Sequence, residues 1–275
     1  MPELPEVEVC RQGLAPALAG CTVRGVAVRQ GRLRAEVPAD LGQCLTGCRI
    51  AGIGRRGKYL LFDCQREGGG GWLIVHLGMT GNLRLVAPGT PPGSHDHVDF
   101  VFDGRLLRYS DPRRFGLVDW FAGPDPAAHP LLAGLGVEPL SPEFTGAWLH
   151  GQLQRRSAPV KTVLMDAHLL VGVGNIYASE SLFRAGISPL RAASRISRRR
   201  CDALAAAIRE TLADAIAAGG SSIRDYVHSD GGSGYFQISC AVYDRAGEPC
   251  RRCGGVVRSV RQGGRSTFYC PSCQR

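Results

Sequence analysis

Four cysteines near the C-terminus constrain this chain more than any other feature. Cys250 and Cys253 form one CxxC pair and Cys270 and Cys273 a second, with sixteen residues between the pairs. Two such knuckles supply four thiolates to one tetrahedral ion, and Zn²⁺ takes that geometry without penalty. Two redox-active CxxC motifs are the alternative, but they need a thioredoxin-like βαβ surround, which this sequence lacks. A site closed by four protein ligands leaves no open coordination position. One structural zinc is therefore expected, and it shapes a hairpin. Arg258, Arg261 and Arg265 lie between the knuckles, followed by Thr267, Phe268 and Tyr269. Such a hairpin can present one of those arginines to a phosphate. The other seven of eleven cysteines, among them Cys10, Cys44, Cys64, Cys201 and Cys240, are scattered singly. They read as small buried residues in a reducing compartment, not as a disulfide framework.

The chain carries a formal net charge of +9. Residues 1–150 hold 15 Lys+Arg and 15 Asp+Glu, whereas residues 151–275 hold 18 and 9, so the whole excess lies in the second segment. That asymmetry suits a polyanion such as nucleic acid, although a solvated basic face is the plainer alternative. Of the 33 basic residues, 31 are Arg; the two lysines are Lys58 and Lys161. A chain that uses Arg wherever Arg serves keeps Lys where a compact ammonium, able to lose its proton, is needed.

Residues 4–20 read as a short helix with Leu4, Val7, Leu14 and Leu18 near one face. Seven short strands follow: Thr22–Val28, Tyr59–Asp63, Trp72–Leu77, Leu83–Val86, Val98–Phe102, Leu106–Tyr109 and Leu117–Phe121. Gly68–Gly71 reads as a hairpin tip, and residues 123–142 read as a Pro/Gly-rich linker. Residues 143–218 are mostly helical, with Ser197 capping a helix through Cys201–Ala218 that Gly219-Gly220 stops. Residues 219–236 read as a mobile loop. Sheet, then helices, then a metal module indicates an α+β multidomain chain. Its expected parts are a β-sandwich over residues 1–130, a helical domain over 131–236 and a zinc finger over 237–275. No apolar run is long enough for a membrane span. The start, MPELPEVEV, carries acids where a signal peptide carries basic residues, so a cytoplasmic protein is expected.

Pro2 follows the initiator Met, whose removal would expose a secondary amine. An α-amino group titrates at roughly 7.7–8.0, so part of it is neutral near pH 7. A neutral amine can attack an electrophilic sugar carbon and yield an iminium. Glu3 can serve as acid or base, and Glu6 as a second carboxylate; favourable charge at a helix N-terminus explains both equally well.

Further segments give these residues a context. MPELPEVEV, RRGKYLLF (55–62), HLGMTGNL (76–83), HDHVDF (95–100), YSDPRRFG (109–116), VGVGNIYASE (171–180), SDGGSGYF (229–236) and GRSTFYC (264–270) occur in this order. Together they resemble the formamidopyrimidine-DNA glycosylases, bacterial enzymes that excise oxidised purines such as 8-oxoguanine from duplex DNA. The resemblance implies that Pro2 is the nucleophile at C1′ and Glu3 the general acid. It assigns Lys58 to β-elimination and Arg265 to δ-elimination. It places DNA contacts at His95, Arg113, Arg156 and Asn175, with Lys161 in a binding role. Met79, Arg113 and Phe115 match the family's duplex probe, which fills the hole left by a flipped base. Core packing is the plainer reading of Met79 and Phe115 taken alone. The implied architecture is an N-terminal β-sandwich with a flanking helix, a helix–two-turn–helix domain and a zinc hairpin, with DNA across the cleft. The implied partner is damaged double-stranded DNA at the bacterial nucleoid; a monomer is expected because the sequence suggests no second interface.

Three rivals make different demands. The related endonuclease VIII branch prefers oxidised pyrimidines and usually begins PEGPE, whereas Leu4 here makes PELPE. A damage-binding protein without catalysis predicts loss of Pro2, Glu3 or Lys58, and all three are present. A zinc-ribbon RNA-binding or regulatory module leaves the N-terminal motifs without purpose.

Overall fold

The computed structural model describes residues 2–220 and 240–275. The chain divides into two compact units. One contains the residues up to Ala133; the other contains Gly134–Ala218 and the described residues from Cys240 onward.

The first unit begins with helix α1 (Leu4–Leu18), whose Leu4, Val7, Cys10, Leu14 and Leu18 recur at three- and four-residue spacing and are buried. Eight strands follow: β1 (Gly25–Val28), β2 (Arg49–Arg56), β3 (Tyr59–Arg66), β4 (Gly69–His76), β5 (Asn82–Val86), β6 (Asp96–Phe102), β7 (Arg105–Ser110) and β8 (Leu117–Phe121). They make two antiparallel four-stranded sheets, ordered β1-β6-β7-β5 and β2-β3-β4-β8. Alternate residues of both sheets share one core with α1 and a short helix α2 (Leu41–Leu45): Leu60, Phe62, Leu73 and Val75 from one sheet, Val98, Phe100, Leu107 and Leu83 from the other. Each fully buried side chain of this kind contributes roughly 1.5–3 kcal/mol. The expected β-sandwich is therefore present.

Eight strands stand where seven are expected, and the reason for the extra one is physical. In β2, Ile50 and Ile53 are three residues apart, which breaks the period of two that marks a strand. The register shifts between Ile50 and Gly52, so a bulge at Ala51 absorbs one residue and both isoleucines reach the core. The glycine run also differs from expectation. Gly69, Gly70 and Gly71 belong to β4, paired with Arg66, Gln65 and Cys64, and the turn is Glu67-Gly68. Residues 123–142, read as a linker, include a 3-10 turn (Pro126–Ala128) and helix α3 (Pro130–Ala133).

The second unit is built on α4 (Gly146–Leu153), α5 (Val160–Leu164), α6 (Asn175–Arg184) and α7 (Arg198–Ala217). Helix α7 packs on α4 and α6 through Cys201, Leu204, Ile208, Leu212 and Ala215. Ser197 occupies its N-cap position without the side-chain hydrogen bond expected of it. Strands β9 (Arg258–Gln262) and β10 (Arg265–Tyr269) form the terminal hairpin. Phe183 of α6 packs with Val242, Val257 and Phe268. The carboxylate of Glu180, also on α6, accepts the backbone N–H groups of Ala241, Val242 and Tyr243 at 2.8, 3.0 and 2.8 Å. A buried anion satisfied in this way ties the metal module to α6. Among the described residues no helix is long and apolar enough to cross a membrane. Of the expected loop at 219–236, all but its first two residues lie outside the described residues.

Candidate active site

Pro2 and Glu3 are buried at the head of α1. Glu3 takes the N-cap position, and its backbone N–H donates to Glu6 Oε2 at 2.7 Å. Glu6 therefore satisfies one of the orphan donors at the helix start, which is its structural role. The box is reciprocal: the Glu3 side chain accepts the backbone N–H of Glu6, so both acids hold the helix start.

Lys58 lies in the two-residue turn between β2 and β3. The strand leading into it is braced against α1. Arg55 donates through Nε to Glu8 Oε2 at 3.0 Å and through Nη1 to the Gly57 carbonyl at 2.9 Å, while Arg11 grips the same Glu8 at 2.7 Å. Burial acts to raise the Glu8 pKa, but the hydrogen bonds from Arg11 and Arg55 outweigh it and hold the carboxyl below its ordinary value. The pair joins the helix that carries Pro2 and Glu3 to the hairpin that carries Lys58.

His76 ends β4 opposite Tyr59, with ring centroids 4.8 Å apart. Burial, and then the charges of Lys58 and Arg34, push its pKa down to about 4. Its Nδ1 accepts the Gly78 N–H at 2.9 Å, as a neutral imidazole can. Sequence reasoning did not single out His76, although HLGMTGNL contains it.

Met79, Arg113 and Phe115 lie on two touching loops. Phe115 is 46% exposed, which excludes core packing for it, and the Arg113 guanidinium lies 4.7 Å over its ring. Met79 is half-buried on the neighbouring loop. A Cβ on Gly78 would sit 2.4 Å from the Phe115 carbonyl carbon, so the two backbones meet where only glycine fits. Asp111, fully buried, accepts from Thr80 Oγ1 at 2.5 Å, Tyr109 OH at 3.2 Å and Gly116 N–H at 2.8 Å. Burial and the Asp111 charge hold the Tyr109 phenol well above its ordinary pKa, so it stays a donor. His95 is exposed beside these loops, and its carbonyl accepts the Asp111 N–H at 3.0 Å. Behind it the buried Arg108 binds Asp99 through two 2.8 Å bonds and donates to the Thr90 and Pro91 carbonyls, which fixes the approach to His95. Thr80, Asp111 and Arg108 all lie within or beside quoted motifs, but single-residue reasoning has no signal for a buried hydrogen-bond hub.

In the second unit Arg265 is exposed at the start of β10. Gly263 and Gly264 precede it, at φ +52° and +77°, the pair of positive angles that a tight two-residue hairpin turn demands. Asn175 opens α6, where the helix dipole favours an anion. Lys161 is 2% exposed. Its ammonium donates to Asn175 Oδ1 at 2.6 Å, Thr267 Oγ1 at 2.7 Å and the Ser266 carbonyl at 3.2 Å. It thus brings the α6 start together with the strand that carries Arg265. Arg156 is partly exposed and pairs with Asp166 at 3.2 Å.

The sulfur atoms of Cys250, Cys253, Cys270 and Cys273 all lie within 4.8 Å of one another, with Cys250–Cys273 at 3.9 Å and Cys253–Cys270 at 3.5 Å. A tetrahedron with Zn–S bonds of about 2.3 Å has edges of about 3.8 Å. The four thiolates fit one structural zinc.

Comparison with known proteins gives the same reading along the whole length. The formamidopyrimidine-DNA glycosylase N-terminal domain matches residues 1–118, the formamidopyrimidine-DNA glycosylase H2TH domain residues 135–227, and the zinc finger found in FPG and IleRS residues 247–275. The formamidopyrimidine-DNA glycosylase of Dechloromonas aromatica is 64% identical over 276 residues, which span 100% of both chains. This chain belongs to the formamidopyrimidine-DNA glycosylase family. Among solved members, the MutM (FPG) protein of Thermus thermophilus is 42% identical with a TM-score of 0.88, covering 99% of this chain and 98% of its own. A variant of the Lactococcus lactis FPG, solved with a Fapy-dG containing DNA, is 33% identical with a TM-score of 0.92, and the match covers 100% of both chains. The helices of the second unit are thus the family's H2TH domain and the Cys₄ hairpin its zinc finger.

Proposed function

We propose that this family member is a base-excision repair enzyme that removes oxidised purines, 8-oxoguanine and formamidopyrimidines, from duplex DNA and then cuts the strand. The observation that carries the reading is the exposed Phe115 under the Arg113 guanidinium, on a loop bonded through Asp111 to the loop of Met79. An apolar wedge and a planar cation can occupy the gap left by a flipped base and meet the orphaned cytosine. The target bond is out of reach while the base is stacked.

In this reading the amine of Pro2, exposed once Met1 is removed, attacks C1′. The glycosidic bond breaks and its electron pair leaves with the base. Glu3, as general acid, supplies a proton while the sugar ring opens and the C1′–N link becomes an iminium. The iminium acidifies the 2′ hydrogens. Lys58, which can take and return a proton, serves the β-elimination that expels the 3′ phosphate. Arg265 serves the δ-elimination that expels the 5′ phosphate. His95, Arg156 and Asn175 hold the backbone, and for the latter two the basic second segment suits that electrostatic task. Residues 1–130 are the catalytic domain with Pro2, Glu3, Lys58 and the wedge, 131–236 the helical DNA-binding and lesion-reading domain, and 237–275 the finger that carries Arg265. We read the enzyme as a monomer of the bacterial cytoplasm, acting at the nucleoid.

Borohydride trapping tests the reading. One duplex carries 8-oxoguanine opposite cytosine, another an oxidised pyrimidine, and Pro2→Gly is run beside the unaltered protein. A strong adduct with the purine lesion, weakened in the variant, is expected. Adduct with the pyrimidine alone would move the protein to endonuclease VIII-type specificity. No adduct on either, with DNA binding intact and Met1 absent, would leave a damage-binding protein.

A further inference from the structure

We propose that Thr80 and Asp111 are positioning residues that set the geometry of the Met79–Arg113–Phe115 wedge; the proposal rests on the function given above. Neither side chain is exposed: Thr80 is 5% and Asp111 0% accessible. The Thr80 hydroxyl has one proton and two lone pairs. It accepts the Arg113 backbone N–H at 3.2 Å, so its own proton points to Asp111 Oδ1, 2.5 Å away. The result is a directed chain of bonds: Arg113 N–H to Thr80, then Thr80 O–H to Asp111. The other carboxylate oxygen accepts from Gly116, at the far end of the same loop, and from Tyr109 on β7.

This carboxylate therefore holds both ends of the segment that displays Arg113 and Phe115, and through Thr80 it also holds the residue next to Met79. Between Arg113 and Phe115 lies Arg114, with φ +56°, a left-handed conformation that a side-chain-bearing residue adopts at a cost. The Arg114 N–H donates to the Asp111 carbonyl at 3.2 Å, so the same residue restrains the strained turn. That turn lets Arg113 fold back over the Phe115 ring. Strain of this kind persists only where its surroundings over-determine it, and here the surroundings are the Asp111 hub.

The consequence is specific to unstacking. An intact lesion must be driven from the duplex by a wedge of defined shape, whereas an abasic site has no base to expel. Loosening the hub slows the first reaction more than the second.

The test uses the full chain in single-turnover cleavage of duplexes carrying 8-oxoguanine or an abasic site. Thr80→Val keeps the shape and removes the hydroxyl; Thr80→Ser keeps the hydroxyl. The ratio of the 8-oxoguanine rate to the abasic-site rate is expected to fall about tenfold in Thr80→Val, the equivalent of about 1.4 kcal/mol in the barrier. Thr80→Ser is expected to restore it to within about twofold. In a Phe115→Ala background Thr80→Val should add little, because Thr80 acts through the wedge. An equal loss on both substrates, an equal loss in both backgrounds, or no loss at all would each overturn the proposal. If the valine variant does not fold, Thr80→Ala makes the same comparison. The unaltered protein on the 8-oxoguanine duplex decides the function itself: inactivity there sinks that reading before any variant is compared.

Discussion

Arg55 and Glu8 meet across the first unit at 3.0 Å, one on the strand that leads to Lys58 and the other on the helix that begins beside Pro2. Pro2, Glu3 and Lys58 are thereby carried on elements that share an ion pair in addition to a core. Glu8 has 14% and Arg55 11% of its side chain accessible, so solvent screens the pair only in part.

Arg55→Met is expected to slow strand cleavage more than base release, because it frees the Lys58 turn without touching Pro2. Quantifying free 8-oxoguanine against cut strand checks this. Glu8 also makes stability depend on pH. Its folded pKa is depressed, so its contribution is complete above the unfolded carboxylate range and is lost as pH falls through the folded value. Thermal midpoints of Glu8→Gln should therefore vary less with acidification than those of the unaltered protein.

His76 is expected to remain neutral through the physiological range. Its folded pKa, about 4, is lower than the ordinary 6.5, so the unfolded chain binds its proton first on acidification. The stability it contributes is complete above about pH 6.5 and declines as pH falls toward 4. A histidine-resolved NMR titration checks the pKa, and His76→Gln should lessen the loss of stability across that window.

Lys161→Met should destabilise the second unit. It would leave Asn175 Oδ1, Thr267 Oγ1 and the Ser266 carbonyl without the donor they share, and of these the Thr267 hydroxyl is fully buried. An unsatisfied buried polar group costs about 1–3 kcal/mol. Lys161→Arg is expected to rescue poorly, because a planar fork does not replace three donors on one nitrogen. Denaturant midpoints of the three proteins check both expectations.

Cys253→Ser, or chelation, should lower bound zinc from one ion per chain toward none. The β9–β10 hairpin is expected to lose hydrogen-exchange protection, since metal binding supplies the folding free energy of such modules. DNA affinity should fall with it, because Arg265 is displayed by that hairpin. Metal analysis beside exchange and binding measurements checks the order of events.

Sequence and tertiary structure divide the explanation between them. The zinc ligands, the helical face of α1 and seven strands were legible because each depends on local spacing: CxxC pairs, a period of 3.6, a period of two. Strand β2 was not, because the bulge at Ala51 hides its period. Ser197 has the right residue type for a cap, yet its side chain makes no capping bond. Residue types made Pro2, Glu3 and Lys58 candidates through chemistry that each side chain carries by itself, whereas the wedge was named only by the resemblance of the ordered motifs, since Met79 and Phe115 taken alone read as core. What tertiary structure decided is where the buried polar groups find partners. Glu6 became a cap for α1, Lys161 an anchor for Asn175 and Thr267, Glu180 a clamp on the metal module, and Asp111 the hub of two loops. Such bonds join residues up to about a hundred positions apart, as from Lys161 to Thr267, with |i−j| of 106. No local pattern encodes them; they follow only once the core has excluded water and each polar group must be satisfied from within.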